Sequence, residues 1–164
     1  MKATSSKSSK QKILLLLSFL RRSPKCIEAA LQIAAERKAE LLVLFVLDAE
    51  ILPAVTRKLT EDGWIGGKPS EQFVAALRKE YKEQAQTKLH EVEQAATAKG
   101  IAVRTFSRQG YLVKEALALC KQEKSDLIIV TRRKRSRLSR LLFGSAVADL
   151  KRQALCPVKV VDDE

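Results

Sequence analysis

The chain has 164 residues, with 31 Lys and Arg against 19 Asp and Glu, a formal charge of +12. That length fits one domain of about 100–200 residues, and 46% hydrophobic residues with only 6 Gly and 4 Pro exclude disordered, collagen-like and low-complexity chains. No apolar run approaches the roughly 20 residues of a membrane-spanning helix, and the positive excess points to anionic partners.

The chain opens on a basic tail, Met1 to Gln11, predicted to be disordered, and residues 12–164 form a single domain. Lys2, Lys7, Lys10 and Lys12 before Ile13–Leu17 loosely imitate a secretory signal. Arg21 and Arg22 follow at once, and no small-x-small cleavage site appears. A cytoplasmic protein is therefore expected. Five β-type runs follow in order: Ile13–Leu17, Leu41–Leu47, Ile101–Phe106, Leu127–Thr131 and Val158–Val161. Their near-continuous Leu, Ile and Val content is how strands covered on both faces read.

Helical stretches separate these runs. Ser23-Pro24 is a start signal, a capping Ser before a Pro in the first turn. Behind it Ile27, Ala30, Leu31 and Ala34 make one apolar stripe. Phe73, Leu77, Tyr81, Leu89, Val92 and Ala96 make a longer one that stops at Gly100. Val113, Ala116, Leu117 and Cys120 form a third, and Val147, Leu150 and Ala154 a fourth, which opens near Gly144-Ser145 and closes before Pro157. Alternating strand and helix predicts an α/β, Rossmann-like open five-stranded parallel sheet with helices on both faces. The connection from Ala49 to Ser70, which carries the single Trp64, is long for a loop and reads as a lid or contact surface.

Ligands of such sheets sit beyond the C-terminal strand ends, where strand order reverses and helix N-termini face the crevice. The candidates are Ser18 and Phe19, then Val46 to Asp48, Thr131 to Phe143, and Gly144-Ser145. Arg132, Arg133, Lys134, Arg135, Arg137 and Arg140 place six positive charges here, half of the net +12. No metal constellation and no nucleophile–base set is evident. Cys26, Cys120 and Cys156 are widely spaced, and His90 is alone of its kind. Cys120 reads as core, Cys156 as a small buried thiol, and Cys26 as an incidental thiol in a first helical turn. His90 reads as helix surface.

The segment SDLIIVTRRKRSRLSRLLFGSAVADLKRQALCPVKVV resembles the signature region of the universal stress protein family. The family pattern there is Gly-x2-Gly-x9-Gly-Ser/Thr, then a helix and a Cys-Pro-Val-like step into the last strand. Gly144-Ser145 and Cys156-Pro157-Val158 match it. The resemblance implies strand order 3-2-1-4-5 and dimers paired through the last strand, here Val158, Val160 and Val161. The chain also departs from the pattern. Ser18 stands where nucleotide-binding members carry an Asp, and Thr131 and Lys134 stand in place of the first two glycines. Arg137 replaces another glycine common in the loop. Glycines let a backbone approach an anion closely; β-branched and long side chains do not.

The resemblance with these departures, and the lack of a catalytic set, lead to the expectation of a dimeric, non-enzymatic binding or signalling module with weakened or lost ATP binding and no firm cofactor. An alternative is a nucleotide-binding switch, for ATP or another adenine nucleotide. There Arg132, Arg133, Lys134, Arg137 and Ser145 would replace the glycine cradle with arginine forks, with at most a slow triphosphatase or phosphotransferase activity. A third reading is a non-specific polyanion or nucleic-acid binder. It would be salt-sensitive, because no aromatic side chain is interleaved with the basic cluster.

Overall fold

The computed structural model describes residues 10–49, 53, 57–58, 61–63, 70–133 and 146–163; of Arg133 and Asp163 it describes the backbone only. Among the described residues nine elements alternate: β1 (Lys12–Ser18), α1 (Pro24–Arg37), β2 (Glu40–Asp48), α2 (Glu71–Ala98), β3 (Val103–Gly110), α3 (Leu112–Glu123), β4 (Leu127–Arg133), α4 (Ala146–Gln153) and β5 (Val158–Asp163). The sheet is parallel throughout, in the order β3-β2-β1-β4-β5. The basic tail lies outside the described residues except for exposed Lys10 and Gln11. So does most of the long connection, including Trp64.

The leucine-rich runs become the central strands because a strand buried on both faces must be apolar at every position. Ile13 to Leu17 and Leu41 to Val46 are all buried. Successive side chains then feed opposite layers. Ile13, Leu15, Leu17 and Ile129 join α1 and the C-terminal half of α2 in one core. Leu14, Leu16, Ile128 and Val130 join α3 and α4 in the other.

β3 differs from its expected bounds. Ile101 is not its first residue; its amide donates to the Ala96 carbonyl at 2.9 Å and closes the end of α2, with Gly100 at φ +74°. β3 then runs on to Gly110, paired with Asp48. As an edge strand it needs only one covered face, so its exposure alternates and its polar half, Ser107 to Gln109, hid it from an apolar pattern. α2 likewise buries only Ala85, Leu89, Val92 and Ala96, while Phe73, Leu77 and Tyr81 are half-buried.

Candidate functional site

The sheet opens between β1 and β4. Their pairing ends at Leu16 opposite Val130. β1 continues beside β2 to Ser18 opposite Val46, and β4 continues beside β5 to Arg133 opposite Asp163. The two central strands therefore part at their C-terminal ends, which is where an open parallel sheet makes its crevice.

The chain turns back sharply at that split. The Ser18 amide donates to the Arg21 carbonyl at 3.0 Å, and the Arg21 amide donates to the Ser18 carbonyl at 3.1 Å. This small antiparallel bridge turns the Ser18 peptide groups to Arg21 rather than across to β4. It also delivers the Arg21 side chain into the gap. Arg21 Nη1 donates to the Thr131 carbonyl at 2.9 Å, and both residues are buried. A charge-assisted bond of this kind is worth about 1.5–3 kcal/mol. The guanidinium thus ties β4 to the β1 turn beyond the point where strand pairing stops.

Among the described residues, two buried hydroxyls near the same end of the sheet have no hydrogen-bond partner: Thr131 Oγ1 and Ser23 Oγ. Thr131 lies on the face shared with Leu127 and Ile129, the face that α1 covers. Ser23 occupies the position before α1 but makes no side-chain cap. The outer wall of the split is aromatic and basic. The Phe19 and Tyr81 rings lie 4.5 Å apart, and the Arg22 guanidinium sits 4.9 Å from the Phe19 centroid. Arg22 Nη1 also reaches Gln84 Oε1 at 3.3 Å. Burial pushes the Tyr81 hydroxyl pKa upward, so it stays protonated. Together these contacts seat the middle of α2 beside the β1 turn.

The predicted site residues divide accordingly. Ser18, Val46 and Thr131 are brought to the strand ends, and all three are buried. Arg132 is exposed and pairs with Asp162 at 3.1 Å, across the β4–β5 register. Lys134, Arg137, Gly144 and Ser145 lie outside the described residues, and Arg133 is placed by its backbone alone. Val158, Val160 and Val161 are half-buried on the edge strand β5. His90 is exposed on α2, as expected.

Arg21, Arg22, Tyr81 and Gln84 are site residues that no sequence pattern singled out for this place. The doublet Arg21-Arg22 directly after a buried strand was the available signal, because a charge there must be solvated or hydrogen-bonded. Among the described residues, no group of three His, Cys, Asp or Glu side chains could hold a metal ion, and no helix is long and apolar enough to cross a membrane. The arrangement gathers Arg21, Arg22 and the buried hydroxyls of Ser23 and Thr131 around the split between β1 and β4, with the Arg21 guanidinium already bonded to the β4 backbone.

The universal stress protein family model matches residues 10–162. The universal stress protein YxiE of Bacillus subtilis (strain 168) is 29% identical over 139 residues, covering 85% of this chain and 90% of that protein. A universal stress protein solved in complex with cAMP has a TM-score of 0.63 at 19% identity, covering 96% of this chain and all of the other. A universal stress protein from Archaeoglobus fulgidus in complex with dAMP has a TM-score of 0.54 at 13% identity, covering 93% of this chain and 97% of the other.

Proposed function

This chain belongs to the universal stress protein family, and from that premise we propose that it is a cytoplasmic, dimeric binding or signalling module without catalysis of its own, whose adenine-nucleotide site is weakened. The observation that carries this reading is the Arg21–Thr131 bond. The crevice end of β4 is held by a side chain, and the residue so held is β-branched. A nucleotide approaching the β4 backbone must compete with a buried guanidinium already bonded there. It also meets the Thr131 side chain where a glycine would leave room.

Dimerisation is proposed through β5. Among the described residues it is an edge strand beside β4, and such an edge is a template for a second copy. Two-fold symmetry would pair the copies through Val158, Val160 and Val161.

The nucleotide-switch reading keeps one specific support. Relatives of this fold have been solved with cAMP and dAMP, and the split carries Arg21 and Arg22 beside two unbonded hydroxyls. The polyanion reading loses one of its six charges to the Arg132–Asp162 pair. Native mass spectrometry of freshly purified protein separates these. A dimer mass with no retained nucleotide, and no saturation by ATP below about 1 mM, is the expected result. A stoichiometric adenine nucleotide would overturn the weakened-site reading, and a monomer mass the β5 interface.

A further inference from the structure

Two cysteines separated by 36 positions meet at the far side of the sheet. Cys120 Sγ and Cys156 Sγ lie 3.5 Å apart. Cys120 ends the buried face of α3, and its carbonyl accepts from the amides of both Lys124 and Ser125. Cys156 stands just before β5. The next residue is pinned, since the Pro157 carbonyl accepts from the Ile128 amide at 3.0 Å. Both backbones are therefore held while the side chains face each other. Leu155 and Cys156 form a bend, and Leu155 is 84% exposed, so this segment runs at the surface. Cys120 is buried and Cys156 half-buried. Cys26, the third cysteine, is fully buried in the opposite layer.

We infer that Cys120 and Cys156 form a reversible thiol–disulfide pair, a modification site for hydroperoxides that is reset by dithiols. A disulfide needs the sulfurs about 2.05 Å apart, so they must approach by about 1.5 Å, a movement that side-chain rotation in the bend supplies. Cys156 reacts first because it is the accessible thiol. Its sulfur takes one oxygen from the peroxide: the S–O bond forms, the O–O bond breaks, and water leaves. Cys120 Sγ then attacks Cys156 Sγ. The S–S bond forms, the S–O bond breaks, and the hydroxyl leaves as water with the Cys120 proton. Two thiols lose two electrons, and one peroxide becomes two waters. The product ties the C-terminal end of α3 to the entry of the edge strand β5.

The test uses the full chain and hydrogen peroxide at about pH 10, where more of the reactive thiolate is present. The intact mass should fall by about 2 Da, with two of the three thiols lost to alkylation and a peptide linking residues 120 and 156. Dithiothreitol should restore both thiols. Cys120→Ser should stop at a Cys156 sulfenic acid, about 16 Da heavier and trapped by dimedone. Cys156→Ser, at a half-buried position where folding tolerates it, should keep Cys120 as a free thiol. Oxygen adducts on the wild-type chain without loss of two hydrogens would overturn the inference. So would a disulfide that forms only between chains, or one that includes Cys26. The wild-type mass decides the matter even if neither variant folds.

Discussion

Arg21 Nη1 donates to the Thr131 carbonyl at 2.9 Å, joining residues 110 positions apart at the point where β1 and β4 separate. The bond satisfies a backbone acceptor that strand pairing no longer serves. Arg21→Ala removes a buried, charge-assisted bond and leaves that carbonyl short of a donor. The expected cost is about 2–3 kcal/mol, read from the midpoint of urea unfolding. A cost near zero would mean that the guanidinium does not hold the two strands together.

Thr131→Val should act in the opposite direction. The Thr131 hydroxyl is buried and has no hydrogen-bond partner among the described residues, and a methyl group of nearly the same volume carries no such penalty. A gain of about 1 kcal/mol is expected. If the same variant instead lost affinity for an anionic ligand, the hydroxyl would be a contact of the crevice.

Ser23 and Ser70 both precede helices, and only one caps. Ser70 Oγ accepts from the Phe73 amide at 3.1 Å, whereas Ser23 Oγ makes no cap bond. Ser70→Ala should therefore cost about 1 kcal/mol, and Ser23→Ala should cost nothing or stabilise slightly. Thermal melts of the two variants measured side by side check the contrast.

Arg104 bridges two carboxylates, with Nε 2.8 Å from Glu40 and Nη2 2.7 Å from Glu123. The hydrogen bond from Arg104 holds the Glu123 carboxyl below its ordinary range, against the opposing effect of burial. The folded pKa is lower than the unfolded one. The stabilisation is therefore complete above the ordinary value of 4.5 and is lost as pH falls through the lowered folded value. Arg104→Ala should lower stability by about 1 kcal/mol at pH 7 and leave it unchanged at low pH. Acid titration of both proteins, followed by far-ultraviolet circular dichroism, reads this out.

The Cys156 thiol is pushed up to about 12 by burial first, then by the Cys120 thiol, with Asp126 adding to the effect. The thiolate is the reactive form, so peroxide oxidation of this pair should be slow at pH 7 and accelerate steadily through pH 10. The folded chain also holds the Cys156 proton more tightly than the unfolded chain. The corresponding stability is present below the ordinary thiol value of 9.0 and declines as pH rises towards 12. A rate independent of pH across this interval would contradict the shift.

Several features were legible before any coordinates. The all-apolar runs of β1 and β2 announced central strands, because only strands covered on both faces are apolar at every position. The stripe Ile27, Ala30, Leu31 and Ala34 announced α1, and Cys120 its place in the core of α3. The end of β3 was not legible, since Ser107 to Gln109 are polar and an edge strand conceals its second half. The same holds for Cys156, expected as a small buried thiol but half-buried and facing Cys120. Arg132 is one of six clustered positive charges in the sequence, and the β4–β5 register sets Asp162 against it.

By itself, then, the amino-acid order determined the elements, the two-sided core and the family, because helix and strand periods are local and burial imprints them residue by residue. Tertiary structure decided where β1 and β4 part, that Arg21 bridges them, and that two distant thiols touch. Those relations join residues 110 and 36 positions apart. They depend on strand register and on crossovers that return the chain, and no local period records either.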